Sequence, residues 1–463
     1  MTSRRTALVV MLVAAAGVAG ALLYSALHTE QEFDRRIAAG DQAVANNQPF
    51  LAIEAYSGAV ALKPDSMLAH LKRGAVYQAQ GELGVALRDL RQSADNDPSA
   101  PRPLELLGDV NIGLGRFDRA IERYERCVAL DERNPRVLYK LGLARYRAGR
   151  HSDALEPLKQ ALTLDPRLAE AYYVTGLVHR EQGQNAAARR ALEQAVKLGP
   201  GLSPAREALA EVYVAEGTHG RAIDQLEVLA ALEPASPDRL VAVGLAQSRA
   251  GRSEAALLTL GRAIDRFPEA PNGYAALGHI WLTTALTSGD RIALKKAVEA
   301  LRRAAGKQGV TSETTAELGR AWMLSGDYQA AERVYRQALA RLPVPADAYL
   351  HFATVTQRGG RIQDARDSLV KYAALVGDSR PLASIASQIA DLSLRLGEPS
   401  VAVRWLDRAV DESGPSAPLL SRLAEAALKA GDYPRARAAV DKGLQTAPDD
   451  PGLLQLKRRL PRA

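Results

Sequence analysis

Tyr139, Leu143 and Tyr146 stand at i, i+4 and i+7; Tyr173, Leu177 and Arg180 repeat that spacing 34 residues on, and Val241, Leu245 and Ser248 repeat it again. On a helix this spacing lines side chains up on one stripe. Tyrosine there offers a broad apolar face with a polar tip, which is the chemistry of contact rather than of bond making. Arg136, Lys140, Arg147, Glu170 and Arg249 edge the stripe, and the cations among them would steer an acidic or amphipathic segment toward it. The other use of such residues is packing between neighbouring helices. Catalytic patterns are missing: there is no glycine-rich phosphate loop, no dinucleotide fingerprint, no paired histidine spacing and no nucleophile elbow. The seven histidines, His28, His70, His151, His179, His219, His279 and His351, share no spacing, and the acidic residues do not converge as a pair. Cys127 is the single cysteine, which rules out an internal disulfide. It stands where equivalent positions carry Ala161, Ala195 and Ala263, so it reads as a small buried residue. No metal, cofactor, catalytic residue or small-molecule substrate is expected.

The elements that hold the stripe are legible in the stretch Pro135 to Leu168. Leu138, Leu141 and Gly142 share one face of a first helix, Gly149 breaks it, and Ala154, Leu155, Leu158, Ala161 and Leu162 face it from a second helix. Asp165 and Pro166 then stop the chain. A hairpin this short cannot bury its face alone and needs stacked copies of itself. Those copies are present. Stepping by 34 from Ala52 gives Ala86, Ala120, Ala154, Ala188, Ala222 and Ala256, and after small insertions Ala297, Ala331, Ala365, Ala402 and Ala436. Turn glycines keep the step at Gly81, Gly115, Gly149, Gly183, Gly217 and Gly251, and first-helix glycines at Gly40, Gly74, Gly108, Gly142 and Gly176.

This unit resembles the tetratricopeptide repeat family, a helix-turn-helix of the same length with small residues at the crossing and a closing proline. The fullest copies are Ser312 to Pro345, with Leu318, Gly319, Trp322, Gly326, Tyr328, Ala331, Tyr335, Ala338 and Pro343, and Met67 to Ala100, with Gly74, Tyr77, Ala86 and Pro98. Departures occur: Arg145 and His179 replace an aromatic, Glu132 a closing proline, and Ala210, Ala353, Ala390 and Ala424 the first-helix glycine. The resemblance implies an all-α, right-handed α-solenoid superhelix of about twelve hairpins whose first helices line a concave surface that takes protein or peptide partners. Some family members clamp a peptide carboxylate with Lys and Asn on that surface. Leu143, Leu177 and Leu245 stand where the Asn would recur, so that clamp is not expected here. The candidate partner-binding set is Arg136, Tyr139, Lys140, Leu143, Tyr146, Arg147, Tyr173, Leu177, Arg180, Val241 and Leu245.

Ahead of the repeats, Arg4 and Arg5 precede an uncharged run of 22 residues from Thr6 to Leu27. A membrane-spanning helix needs about 20 apolar residues, so the run predicts a single-pass transmembrane anchor with residues 1–5 in the cytoplasm. The expected location is a bacterial inner membrane with repeats in the periplasm. The alternative is a signal peptide cleaved near Ala19-Gly20-Ala21, giving a secreted or periplasmic protein. Seven regular repeats are expected over 33–270 and five over 271–450, with insertions near 284–292 and 373–382 and a capping helix within 451–463. The net charge of +7 comes from 60 basic residues interleaved with 53 acidic ones, which argues against nucleic acid. The functional expectation is a non-catalytic scaffold in the cell envelope. The alternatives are a docking subunit of an enzyme complex, such as one for polysaccharide synthesis or secretion, and a cytoplasmic-facing adaptor.

Overall fold

The computed structural model describes residues 2–377 and 382–461, with side chains from Gly17 onward except that of Ala19. Among the described residues there are 25 helices and no strand. They group into two compact units, Met1–Leu232 and Glu233–Ala463.

The first unit stacks six hairpins. These are α1 (Thr2–Ala45) with α2 (Pro49–Leu62), α3 (Met67–Ala79) with α4 (Leu83–Asn96), and α5 (Pro101–Gly113) with α6 (Phe117–Leu130). They continue as α7 (Pro135–Arg147) with α8 (His151–Leu164), α9 (Ala169–Glu181) with α10 (Asn185–Leu198), and α11 (Ser203–Ala215) with α12 (His219–Leu232). The second unit holds six more, beginning with α13 (Pro237–Arg249) and α14 (Ser253–Arg266), α15 (Pro271–Ser288) and α16 (Arg291–Ala305), and α17 (Ser312–Ser325) and α18 (Tyr328–Leu339). Its remaining pairs are α19 (Ala346–Arg358) and α20 (Ile362–Val376), α21 (Ala383–Arg395) and α22 (Pro399–Ser413), and α23 (Ala417–Ala430) and α24 (Tyr433–Thr446). The last helix, α25 (Pro451–Arg459), lays Leu453 and Leu456 on the final hairpin and leaves Lys457, Arg458 and Arg459 exposed.

One packing rule builds every hairpin. All twelve second-helix alanines, from Ala52 to Ala436, are fully buried. Sixteen residues after the first-helix glycine of a regular hairpin comes the side chain that lies on it, Leu90 on Gly74, Leu158 on Gly142, Leu192 on Gly176 and Leu260 on Gly244, and the insertion places Leu301 on Gly278 seven residues later. In three hairpins that side chain is a tyrosine, Tyr56 on Gly40, Tyr124 on Gly108 and Tyr335 on Gly319. The approach leaves no space. A Cβ at Gly142 would stand 2.6 Å from Leu158 Cγ, and one at Gly108 would stand 2.3 Å from Tyr124 Cε1. The alanines that replace this glycine, Ala210, Ala353, Ala390 and Ala424, are also buried, so their hairpins still close. Turn geometry recurs in the regular hairpins. Gly149 takes φ +75°, the Arg150 amide donates to Arg145 O at 2.9 Å and the Gly149 amide to Tyr146 O at 3.0 Å, which is the Schellman closure of a helix end.

The seven-residue insertion is absorbed at one hairpin end. Helix α15 runs on for ten residues after Gly278, against five after Gly244 in α13. Arg291 starts α16 six residues before Ala297, against three between Ser253 and Ala256 in α14. Gly289, at φ +69°, and Asp290, whose carboxylate accepts from the Ile292 amide at 2.7 Å, form the tip. Within the expected insertion near 373–382, residues 378–381 fall outside the described residues, after Gly377, the C-cap of α20.

The anchor expectation is corrected. Residues 6–27 do not form a separate segment: α1 runs without a break into the first hairpin, where Phe33, Ile37 and Ala43 are buried beside Tyr56. No proline or turn residue separates Leu27 from Phe33, so nothing ends the helix between them. Glu30, Glu32, Asp34, Arg35 and Arg36 charge that same helix, and among the described residues no helix is long and apolar enough to cross a membrane. The single-pass inner-membrane location is overturned with it. The side chains of Arg4 and Arg5, like the others as far as residue 16, lie outside the described ones.

Candidate functional site

The candidate residues divide between the two units. Arg136, Tyr139, Lys140, Leu143, Tyr146 and Arg147 lie on α7, and Tyr173, Leu177 and Arg180 on α9, all in the first unit. Val241 and Leu245 lie on α13 in the second. Asn134 starts α7 by accepting from the Arg136 and Val137 amides, and Leu138, Leu141 and Gly142 turn its packing face inward. The stripe beside that face is left for Tyr139, Leu143 and Tyr146. With Tyr173 from α9 these three pack, half-buried, on a floor of Leu138, Ala154, Leu158 and Val174. Burial raises the Tyr139 phenol above its ordinary value, with Glu170 and Tyr173 adding to the effect. Burial also raises that of Tyr173, with Tyr146 adding, while Arg180 and Arg147 pull it down. The Tyr146 ring stacks on His151 at 5.4 Å and 28°.

Several candidates serve packing instead. Leu177 is 7% exposed in a cluster with Leu192, Leu209 and Tyr213. Val241 is 8% exposed in the second unit's own core, where Leu245 packs beside it. Lys140 is not a free steering charge: its Nζ donates to Glu105 at 2.6 Å and Asp109 at 2.7 Å, both on α5. Arg180 is likewise held by Glu211 on α11 and by Glu181. Arg136 and Arg147 are exposed, and among the described residues neither forms an ion pair.

The pairs that capture Lys140 and Arg180 belong to a pattern the sequence analysis missed. Successive first helices are tied at an offset of 31, by Asp41 with Lys72, Asp109 with Lys140, Arg180 with Glu211 and Asp391 with Arg422. His279 and Glu317 make the same tie at an offset of 38, which is 31 plus the seven inserted residues. An offset of one repeat less one helical turn, carrying opposite charges, was the available signal. Two of the acids do a second job: Asp41 accepts from Tyr56 Oη at 2.6 Å and Asp109 from Tyr124 Oη at 2.7 Å. Each carboxylate therefore joins the tyrosine of its own hairpin to the lysine of the next. Cys127 is buried, its thiol pushed up to about 11 chiefly by desolvation, with Sγ donating to Pro101 O at 3.3 Å.

The second polar cluster missed from the sequence is buried between α3 and α4. Arg73 donates to both oxygens of Asp89 at 2.7 Å, and the two ring nitrogens of His70 face Asp89 Oδ1 at 3.2 Å and Pro64 O at 2.9 Å. Both His70 nitrogens are thus engaged, and the cluster fastens two helices without offering a base to a nucleophile. Among the described residues no group of His, Cys, Asp and Glu is placed to hold a metal.

Two amphipathic helices per repeat, closed by recurring glycine turns and stacked through small residues, define a helical repeat protein. A tetratricopeptide repeat profile matches residues 37–101, 106–169, 173–238 and 317–382, over half of the chain, and a second one matches 393–460; the chain belongs to the tetratricopeptide repeat family. Proteins of this family act as protein-interaction scaffolds, bind protein or peptide partners and are generally non-catalytic. The small glutamine-rich tetratricopeptide repeat-containing protein 2 of Mycosarcoma maydis is 32% identical over 97 residues, 21% of this chain and 28% of that protein. Its Saccharomyces cerevisiae counterpart is 27% identical over 95 residues, 20% of this chain and 28% of the relative. The matches therefore span less than a third of those relatives. Among solved structures, MamA is 24% identical with a TM-score of 0.35, over 36% of this chain and 92% of MamA. YrrB, described as a TPR protein with an unusual peptide-binding site, is 20% identical with a TM-score of 0.33, over 40% and 94% of the two chains.

Proposed function

We propose that the protein is a non-catalytic scaffold that captures a peptide segment of a partner protein on the α7 and α9 face of its first unit. The observation that supports this reading is the cluster of Tyr139, Tyr146 and Tyr173, which stay half-exposed where the hairpin does not need them to close. Rigid amphipathic rings in such a position give large contact area at low entropic cost. Leu143 lies between them as an aliphatic floor, and Arg136 and Arg147 are the cations free to meet an acidic flank. Leu177 supports the face from beneath, Lys140 and Arg180 are tied to neighbouring first helices, and Val241 and Leu245 are left out of it.

The test is a pull-down comparing wild-type chain with Tyr139→Ala/Tyr173→Ala, folding being checked by circular dichroism. The folded double variant should lose partners that the wild type retains, since truncating such an anchor commonly costs about 2 kcal/mol or more. Recovery of every partner at wild-type level would make these tyrosines packing residues and end the proposal.

A further inference from the structure

The inserted turn in the second unit lengthens a groove between α16 and α17 whose regular counterpart, between α8 and α9, holds about 440 Å³. The overhanging first turn of α16 brings Arg291, Leu294 and Lys295 opposite the last turn of α17, with Trp322, Leu324 and Ser325. With Val298, Glu299 and Arg302 they enclose about 670 Å³. Its floor is apolar: Trp322 is half-buried with its inner edge packed in the core, Val298 is buried, and Leu324 is 43% exposed. An exposed leucine beside a tryptophan in a concave site is an unfilled contact surface.

Charge selects the occupant. Arg291, Lys295 and Arg302 lie along one stripe of α16, all exposed, and among the described residues none forms an ion pair. The one carboxylate in the rim, Glu299, is bound by Arg303 at 3.1 Å. The chain's other tryptophans are covered by its own cations, Trp281 by Lys296 at 4.3 Å and Trp405 by Arg408 at 5.6 Å. No such cation covers Trp322 among the described residues, so its face is left for something else. From Arg291 to Arg302 the stripe is about 16 Å long. A single small anion would answer one of these cations, whereas a linear acidic segment would answer all three. A run of phosphates would leave the aliphatic floor unused.

We infer that the groove between α16 and α17 binds an acidic peptide segment that inserts a bulky apolar side chain against Trp322, Leu324 and Val298. This surface lies in the second unit and is independent of the α7 and α9 face. The probe is a short fluorescein-labelled peptide of Glu and Asp flanking a Leu–Phe pair, titrated with the full chain and followed by anisotropy. Saturable binding is expected, weakening as salt is raised and at least about tenfold weaker when Leu–Phe is replaced by Ser–Ser. Arg291→Glu/Lys295→Glu/Arg302→Glu should weaken it by a similar factor, and Leu324→Ser, which alters one exposed side chain, should weaken it without any change in the circular dichroism. The Tyr139→Ala/Tyr173→Ala chain should bind this probe as the wild type does. The inference is overturned if the wild type fails to bind, if the charge-reversed or Leu324→Ser chain binds equally well, if the Ser–Ser peptide binds equally, if loss of the two tyrosines abolishes binding, or if single-stranded DNA displaces the peptide and binds more tightly.

Discussion

The three tyrosines at the hairpin crossings differ by one neighbour. Tyr56 and Tyr124 each have an aspartate directly after the glycine they cover, and their hydroxyls donate to it. After Gly319 the chain has Arg320, and the buried Tyr335 hydroxyl is left without a partner among the described residues. An unpaired buried hydroxyl is a cost, while a paired one contributes. Tyr335→Phe should therefore leave the melting temperature unchanged or raise it, and Tyr124→Phe should cost about 1 to 2 kcal/mol. Equal losses from both would mean that the hydroxyls do not set the difference. Cys127 gives a second residue-scale expectation: buried and with its thiol raised, it should resist maleimide at neutral pH until the chain is denatured. Rapid labelling of the folded chain would place it elsewhere.

Elements are held to one another by the small-residue seam and by the charged ladder. Ala188→Phe should overpack the seam at a cost of about 1 to 3 kcal/mol in thermal melting, and an unchanged melt would mean the register is misassigned. The ladder titrates in two directions. Burial alone would raise the Glu105 carboxyl, but hydrogen bonds from Lys140 and Arg102 outweigh it and hold the group below its ordinary value of 4.5. Its contribution is present above that value and lost as pH falls through the lowered one, so Lys140→Met should remove part of the acid sensitivity of the melt. His279 is raised above 6.5 chiefly by its hydrogen bond to Glu317, so that tie is complete below 6.5 and fades as pH rises through the folded value. An NMR titration of His279 should show a midpoint above 6.5 that drops in Glu317→Gln.

Across the whole molecule, what could be read from the chain was whatever recurs with the hairpin. The alanine register survives because a helix crossing tolerates only a small side chain, and that demand returns with every repeat. Gly142 and Gly149 were readable for the same reason, as the close approach and the left-handed turn. The ladder escaped notice because its members are scattered among 60 basic and 53 acidic residues and become partners only when one first helix is laid on the next. Leu177 and Val241 were read as surface because their spacing matches Leu143 and Tyr139, yet neighbouring helices cover them. The expected anchor failed for a local reason: a run of hydropathy was read as a unit, whereas His28 to Glu32 carries no helix breaker and α1 continues through it.

A photocrosslinker placed at position 143 tests whether the α7 face binds a partner. Leu143 sits between Tyr139 and Tyr146, whereas Thr163 on α8 is exposed elsewhere on the same unit. With p-benzoylphenylalanine at 143, irradiation in cells should yield a discrete adduct with a second protein, absent with the same group at 163 and lost in the Tyr139→Ala/Tyr173→Ala background. If position 143 gives no adduct, or the same adducts as position 163, the tyrosine face is packing surface and the claim is contradicted.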